Sequence, residues 1–484
     1  MKRINARYVL PLVMACYLVL AVGFYLIAGE QLRFRDEKTD MLTPLLPIGE
    51  ITESTEIRQR ITADCDEISG VTLRLSTYER SNTAELKVSL LDESGAVLAA
   101  ETIDTARVVD NRDHDVEFDQ PAKVVPGQVV YLQLTSEDGA AGNAVSAWWG
   151  NTVATARVEV QQNIPQEELA AVNGVAQPGK LCYRLHQRTH LWTGEAYWYL
   201  AAGAGVLLLA YALYLQSAVR KGKSNVLLRL IAAFQRYGFL MRQLISRDFK
   251  TKYKRSVLGV LWSFLNPLLT MLVQYVVFST LFKSDIPNFA LYLLTGIVCF
   301  NFFNEATTMS LQSIVGNATL ITKVYVPKYI YPVSRVLSST VNLLLAMIPL
   351  FAVMLLTRTP VRPAILLLPF GIICLVALCI GMGFFLSTCM VFFRDTQFLW
   401  GVLSMLWMYA TPIFYPESII PAQLMTLYKC NPLYHIIRFF RIVLIDGVSP
   451  EPKAYVLCLI ASMVPLAIGA VIFKKYQDRF VLNL

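Results

Sequence analysis

Apolar blocks of about twenty residues recur along this chain, the length that carries a helix across a hydrocarbon core roughly 30 Å thick. Two of them, Tyr8 to Ala28 and Ala196 to Val219, lie in the first half. Six more follow at Leu258–Phe282, Phe289–Phe303, Tyr329–Leu356, Ala364–Phe393, Phe398–Tyr415 and Tyr455–Phe473. Of 484 residues, 55% are hydrophobic and 16% charged, against about 25% charged in a soluble domain. The expected fold is therefore an α-helical integral membrane protein with about eight transmembrane helices. The net charge of +8 does not point to nucleic acid. The basic residues flank apolar blocks, as in Arg220-Lys221-Gly222-Lys223 and Lys474-Lys475, as cytoplasmic flanks do.

Lys2, Arg3 and Arg7 precede the first block, which keeps its N-terminus in the cytoplasm by the positive-inside rule. Residues 1–29 then form an uncleaved anchor; a cleaved signal peptide is the competing reading. Between residues 30 and 194 the character changes. Short alternating runs such as Val71 to Ser76, Glu85 to Leu90, Gln128 to Leu134, Ala156 to Val160 and Lys180 to Leu185 are separated by turn signals, among them Asp92 to Gly95 and Pro126-Gly127. An inserted all-β sandwich, jelly-roll-like and extracytoplasmic, is the expectation. Tyr78, Tyr131, Trp148 and Trp149 are its candidate glycan contacts, although alternate strand residues commonly face a core. Of nine cysteines, Cys65 and Cys182 alone fall in this polar region. They are candidates for a disulfide, or else two separate buried thiols.

The second span, residues 195–220, returns the chain to the cytoplasm, where residues 221–257 follow. In Leu227 to Ile245 the apolar residues Leu230, Phe234, Tyr237, Met241 and Leu244 share one helical face, while Arg229, Arg236, Arg242 and Arg247 stay off it. A basic amphipathic helix of this kind lies in the membrane surface. Residues 258–484 hold the six-span unit. Within it, Pro416 to Pro452 contains only short apolar stretches, suited to re-entrant or interfacial positions. Eight crossings put both termini inside, with Arg358, Arg362, Arg438 and Arg441 on the outer side against the charge rule.

Six stretches in order carry a resemblance: Ile245-Ser-Arg-Asp-Phe-Lys250; Tyr253-Lys-Arg-Ser-Val-Leu-Gly-Val-Leu-Trp262 with Asn266-Pro267; Asn317-Ala-Thr-Leu-Ile-Thr-Lys323 with Pro327; Phe393-Arg-Asp395; Thr411-Pro-Ile-Phe-Tyr-Pro416; and Asn431-Pro-Leu-Tyr-His-Ile-Ile437. From about Leu227 onward the chain resembles the permease subunit of polysaccharide-exporting ABC transporters, the type-2 exporters of O-antigen, capsular polysaccharide and teichoic acid. The first 220 residues depart from that pattern. The resemblance implies a homodimer with its channel at the interface, two copies of a separate ATPase subunit that binds ATP and Mg, and a lipid-linked glycan as cargo. No cofactor is implied for this chain. Arg247, Lys250, Lys252, Lys254 and Arg255 would meet the pyrophosphate at the cytoplasmic entrance, since Arg and Lys bind such dianions well; snorkelling is the plainer reading. Trp262, Tyr275, Phe278, Trp400, Trp407 and Tyr409 would line the channel, by stacking on sugar faces, or else belong to packing. Asn317, Lys323 and Pro327 would belong to the loop that couples to the ATPase.

Other chemistry finds little support. Gly222-Lys223-Ser224 resembles the tail of a P-loop, but Ser217 stands where the motif needs glycine. His186 and His190 have a metal-like spacing in a segment that reads as strand then loop, and Asp110 to Asp115 lacks the glycine of a calcium loop. Alternatives to polysaccharide export are a small-molecule or drug exporter permease, or a membrane glycosyltransferase, for which Asp285 alone is poor support. A sensor or adhesin is a third, but it would not need six further spans.

Overall fold

The computed structural model describes residues 6–155, 158–161, 164–221, 225–254, 257–280, 288–323, 326–417 and 420–483. It divides into two compact units: residues 1–31 with 196–484, and Leu32–Glu195.

The second unit is a β-sandwich. Its main strands are β1 (Phe34–Lys38), β2 (Leu46–Pro47), β3 (Ile57–Thr62), β4 (Glu67–Ser76), β5 (Glu85–Leu91), β6 (Val97–Asp104), β7 (Arg112–Lys123), β8 (Val129–Thr135) and β9 (Ser146–Gly150). Shorter ones follow, β10 (Thr152–Thr155), β11 (Val158–Gln161), β12 (Ala171–Val172), β13 (Val175–Ala176) and β14 (Lys180–Leu181), then β15 (Tyr183–His190). One antiparallel sheet runs β1-β15-β4-β9-β14, with β7 also on β4 and β2 on β9; the other runs β13-β12-β3-β8-β5-β6. Period-2 alternation explains their packing. Val130, Leu132 and Leu134 of β8 are buried, and with Leu86, Val88 and Leu90 of β5 they meet Val71, Leu73 and Leu75 of β4 in one core.

The proposed Cys65–Cys182 bridge is not formed; both thiols are free and buried. Cys182 adjoins the Tyr183↔Leu73 pair, whereas Cys65 lies beyond Glu67, the partner of Arg188. Six residues of strand separate those levels, roughly 20 Å at about 3.3 Å per residue, far outside disulfide reach. Burial pushes the Cys65 thiol up to about 11 and that of Cys182 up to about 12.

The first unit is helical: α1 (Ala6–Arg33), α2 (Trp192–Arg220), α3 (Val226–Tyr253), α4 (Trp262–Thr280), α5 (Phe289–Leu311), α6 (Ala318–Lys323), α7 (Ile330–Leu356), α8 (Leu368–Phe392), α9 (Thr396–Tyr409), α10 (Ala422–Lys429), α11 (Pro432–Arg441), α12 (Pro452–Tyr476) and α13 (Phe480–Asn483). Among the described residues seven helices are long and apolar enough to cross a membrane: α1, α2, α4, α5, α7, α8 and α12. The block Phe398–Tyr415, expected as an eighth, is different. Its helix α9 has 14 residues and so spans only about 21 Å at 1.5 Å per residue. The chain nevertheless travels from one end of the bundle to the other here. Val391 at the end of α8 and Phe473 near the end of α12 share a cluster with Ile321 of α6. Past α9, Phe414 stacks on Phe278 near the end of α4, with ring centroids 5.6 Å apart.

α1 and α2 pair through hydroxyl-to-carbonyl bonds, Tyr17 to Ala201 at 2.5 Å and Tyr197 to Ala21 at 2.6 Å. Central α5 touches α4, α7, α8, α9 and α11. α8 and α12 meet at Gly381 and Gly469, where a methyl built on Gly469 would lie 2.1 Å from the Gly381 carbonyl oxygen. Small residues let transmembrane backbones approach this closely.

Candidate functional site

At the α6 end of the bundle, the amphipathic pattern of α3 becomes a docking face. Met241 and Leu244 pack with Ile314, Ile321, Ile330 and Tyr331, while Arg229, Arg236 and Arg242 remain exposed. Past that face α3 turns polar contacts inward. Asp248, 8% exposed, meets Arg335 of α7 at 2.9 Å and its own neighbour Arg247 at 3.1 Å. One turn later Lys252 donates to Glu305 of α5 at 2.8 Å, and the Asn342 amide of α7 donates to the same carboxylate oxygen at 2.6 Å. The Tyr253 hydroxyl donates to Asn342 Oδ1 at 3.1 Å and also bonds Ser263. These residues line a cavity of 140 Å³ between α3, α4, α5 and α7.

Among the five cations expected at the entrance, two are therefore committed to carboxylates, Arg247 and Lys252. Lys250 and Lys254 are exposed, and Arg255 lies outside the described residues, as do Asp285 and Gly222 to Ser224. Asn317 is buried and its amide donates back to the Ser313 carbonyl at 2.7 Å, so it shapes the turn into α6. Lys323 is exposed at the end of α6, and Pro327 is half-buried beside Lys328, whose ammonium donates to the Gln477 carbonyl at 2.6 Å.

The aromatic residues divide. Trp262, Tyr275 and Tyr409 are exposed, Tyr409 at 57%. Phe278 stacks on Phe414. Trp400, expected to line a channel, is only 4% exposed and packs edge-on against Phe303 and Trp407; it belongs to the helix core. Half-buried Trp407 is held by a bond from its indole N–H to Asn431 Oδ1 at 2.9 Å. Asn431 also caps α11 by accepting from the Leu433 N–H at 3.0 Å, and donates to Thr411 Oγ1 at 2.9 Å. One side chain thus joins two of the sequence stretches, 411–416 and 431–437.

Sequence reasoning missed a second brace at that end. Arg441, 7% exposed, donates to the carbonyls of Pro412 at 2.7 Å and Ile413 at 3.2 Å, with its guanidinium 3.4 Å from the ring centroid of Tyr292. An arginine inside an apolar neighbourhood is the signal that finds it.

In the β unit, Trp148 donates to Asn111 Oδ1 at 3.2 Å, and Asp110 accepts from the Thr77 N–H at 2.6 Å, next to Tyr78. Trp148 and Tyr78 therefore share one end of a sheet. Trp149 packs over Gly179, and Tyr131 lies on the other sheet, paired with Arg60. The four do not form one patch. His186 bonds Thr72 Oγ1 at 2.8 Å rather than joining His190 in a metal site.

The helical unit is thus a multi-span bundle with a basic amphipathic helix docked across one end. Residues 240–445 match the family model described as ABC-2 type transporter. The O-antigen export system permease protein RfbA of Klebsiella pneumoniae is 32% identical over 249 residues, which cover 50% of this chain and 95% of that protein. Its Myxococcus xanthus counterpart is 28% identical over 258 residues, 52% of this chain and 98% of that protein. The polysialic acid transport protein KpsM of Escherichia coli is 22% identical over 259 residues, 52% of this chain and 98% of that protein. The chain belongs to the ABC-2 type transporter family, among its polysaccharide-export permeases.

Proposed function

We propose that this chain is the permease subunit of an ABC exporter that moves a lipid-linked polysaccharide, such as an O-antigen or capsular glycan, out across the cytoplasmic membrane. The observation that carries this reading is the relation to O-antigen export permeases over almost their whole length. Energy comes from a separate ATPase, two copies of which dock at the loop bearing Lys323 and Pro327. Both termini lie in the cytoplasm, α9 with the segment after it makes the eighth crossing, and residues 30–194 stand outside as a jelly-roll-like domain. Consecutive strands β3, β4 and β5 alternate between the two sheets, as a jelly roll requires.

Two copies form the conduit, packing through α4 and α9, whose Leu269, Leu272, Leu399 and Val402 are exposed. Trp262, Tyr275 and Tyr409 line it. Lys250, Lys254 and Arg255 receive the pyrophosphate, while Arg247 and Lys252 fasten α3. Trp148 and Tyr78 guide the emerging polymer.

The test is co-purification with the ATPase encoded beside it, reconstitution in proteoliposomes, and an ATP-dependent flipping assay with lipid-linked glycan. ATP-dependent accumulation of glycan on the far side is the expected result. Flipping without nucleotide, or glycan transfer by the isolated chain, would refute the proposal.

A further inference from the structure

The cavity between α3, α4, α5 and α7 carries more hydrogen-bonding capacity than the surrounding protein consumes. Glu305, Asn342 and Tyr253 satisfy one another. The Asn301 amide, on the same wall, makes no hydrogen bond among the described residues. Asn266 Oδ1 receives only a long bond, 3.5 Å, from the Thr270 hydroxyl. Both amides are exposed where they line this space, so their donors and acceptors stand open to a polar occupant. At roughly 10–15 Å³ per water-sized sphere, 140 Å³ holds on the order of ten of them. That is the bulk of one sugar ring and far less than a polymer segment.

Resting on the export reading above, we propose that this cavity binds one sugar of the lipid-linked glycan, the one next to the phosphates, and so reads sugar identity at the entrance. The chemistry selects a polyol over a phosphate. The carboxylate of Glu305 accepts sugar hydroxyls but repels an anion, and Lys252, the cation on this wall, is already neutralised by it. Amide groups both donate and accept, which vicinal hydroxyls require. Trp262, exposed at the rim, offers an apolar face to the ring. The phosphates are left to exposed Lys250 and Lys254 on the last turns of α3.

The full-length chain with its ATPase, in lipid nanodiscs, is titrated with polyprenyl pyrophosphate and with the same lipid bearing one hexose or one N-acetylhexosamine. The readout is the ratio of affinities. The wild type is expected to prefer a sugar-bearing lipid by about tenfold or more, and Asn301→Ala and Glu305→Gln to bring the ratio near unity. Asn301 supports no structural bond, so its alanine variant keeps the test valid if Glu305→Gln misfolds. A wild type without preference, or variants that retain it, would overturn the sugar site and leave the export reading standing. A wild type that binds none of these lipids overturns both.

Discussion

Replacing Asn431 with alanine tests whether the segment after α9 is held as described. The substitution removes three bonds together: the cap on Leu433, the acceptor for the Trp407 indole, and the donor to Thr411. Loss of an asparagine N-cap costs about 1 kcal/mol. Leaving a half-buried indole N–H without its acceptor costs about another 1 kcal/mol or more. Thr411 loses less, because its hydroxyl still donates to the Trp407 carbonyl at 2.8 Å. The sum is roughly 2–3 kcal/mol, or about 3–5 °C in the midpoint of a unit this size. Asn431→Asp keeps the cap and the indole acceptor, so it should lose less than half as much. The assay is thermal unfolding of the purified full-length protein in detergent, scored on the helical transition. A midpoint for Asn431→Ala within a degree of wild type would refute the network.

Gly469→Ala should destabilise the helical unit by about 2 kcal/mol or more through overpacking, because its methyl would meet the Gly381 carbonyl, while Gly401→Ala, inside α9 with open space around it, should be neutral or stabilise by up to about 1 kcal/mol. Thermal unfolding of the pair decides it. Asp248→Ala strands Arg335 and should cost about 3 kcal/mol; adding Arg335→Met should recover much of that loss in a double-mutant cycle. Burial, aided by nearby Lys38, holds the His186 imidazole below its usual 6.5, and Asp115, despite partial burial, is held low by Thr72 and Lys38. A base with a depressed folded pKa contributes fully above its unfolded value and loses that contribution as pH falls below it. The β unit should therefore weaken from about pH 6.5 downward, and Asp115 adds a further loss only below its own unfolded value near 3.8. His186→Gln should flatten the first of these phases in calorimetry of the full chain. Maleimide should label Cys430 in the native protein and spare Cys65 and Cys182, and mass analysis should find no bond between the latter two.

Apolar run length and strand alternation are local properties, which is why the helical spans and the β-rich region were legible in the sequence. What failed depended on contacts distant in the chain. The apolar block expected at Phe289–Phe303 stops short of its helix, for α5 continues through Asn304 and Glu305 to Leu311. Lys252, 53 positions away, supplies the charge that pairs with Glu305 there. The disulfide was inferred from compartment alone, and the register of β4 on β15 separates the two cysteines. Trp400 looked like its neighbours in a run of aromatics; only its approach to Phe303 shows that it faces inward.

The placement of the missed polar residues has a physical logic. Spanning helices are positioned by lipid, but lipid is as apolar as leucine and gives an attached element little reason to choose one docking site over another. Paired polar groups supply that choice, because separation from the partner leaves a charge or donor without compensation. In this protein such pairs join elements that do not span. Asp248 with Arg335 and Lys252 with Glu305 fasten α3, while Arg441 and Asn431 fasten the 411–416 segment and α11. Replacing Glu305 and Lys252 together by leucine and methionine should therefore leave the spans inserted but free the end of α3. Protease should then cut near Lys250 in the variant while wild type resists, and equal resistance would mean that apolar packing alone holds the helix.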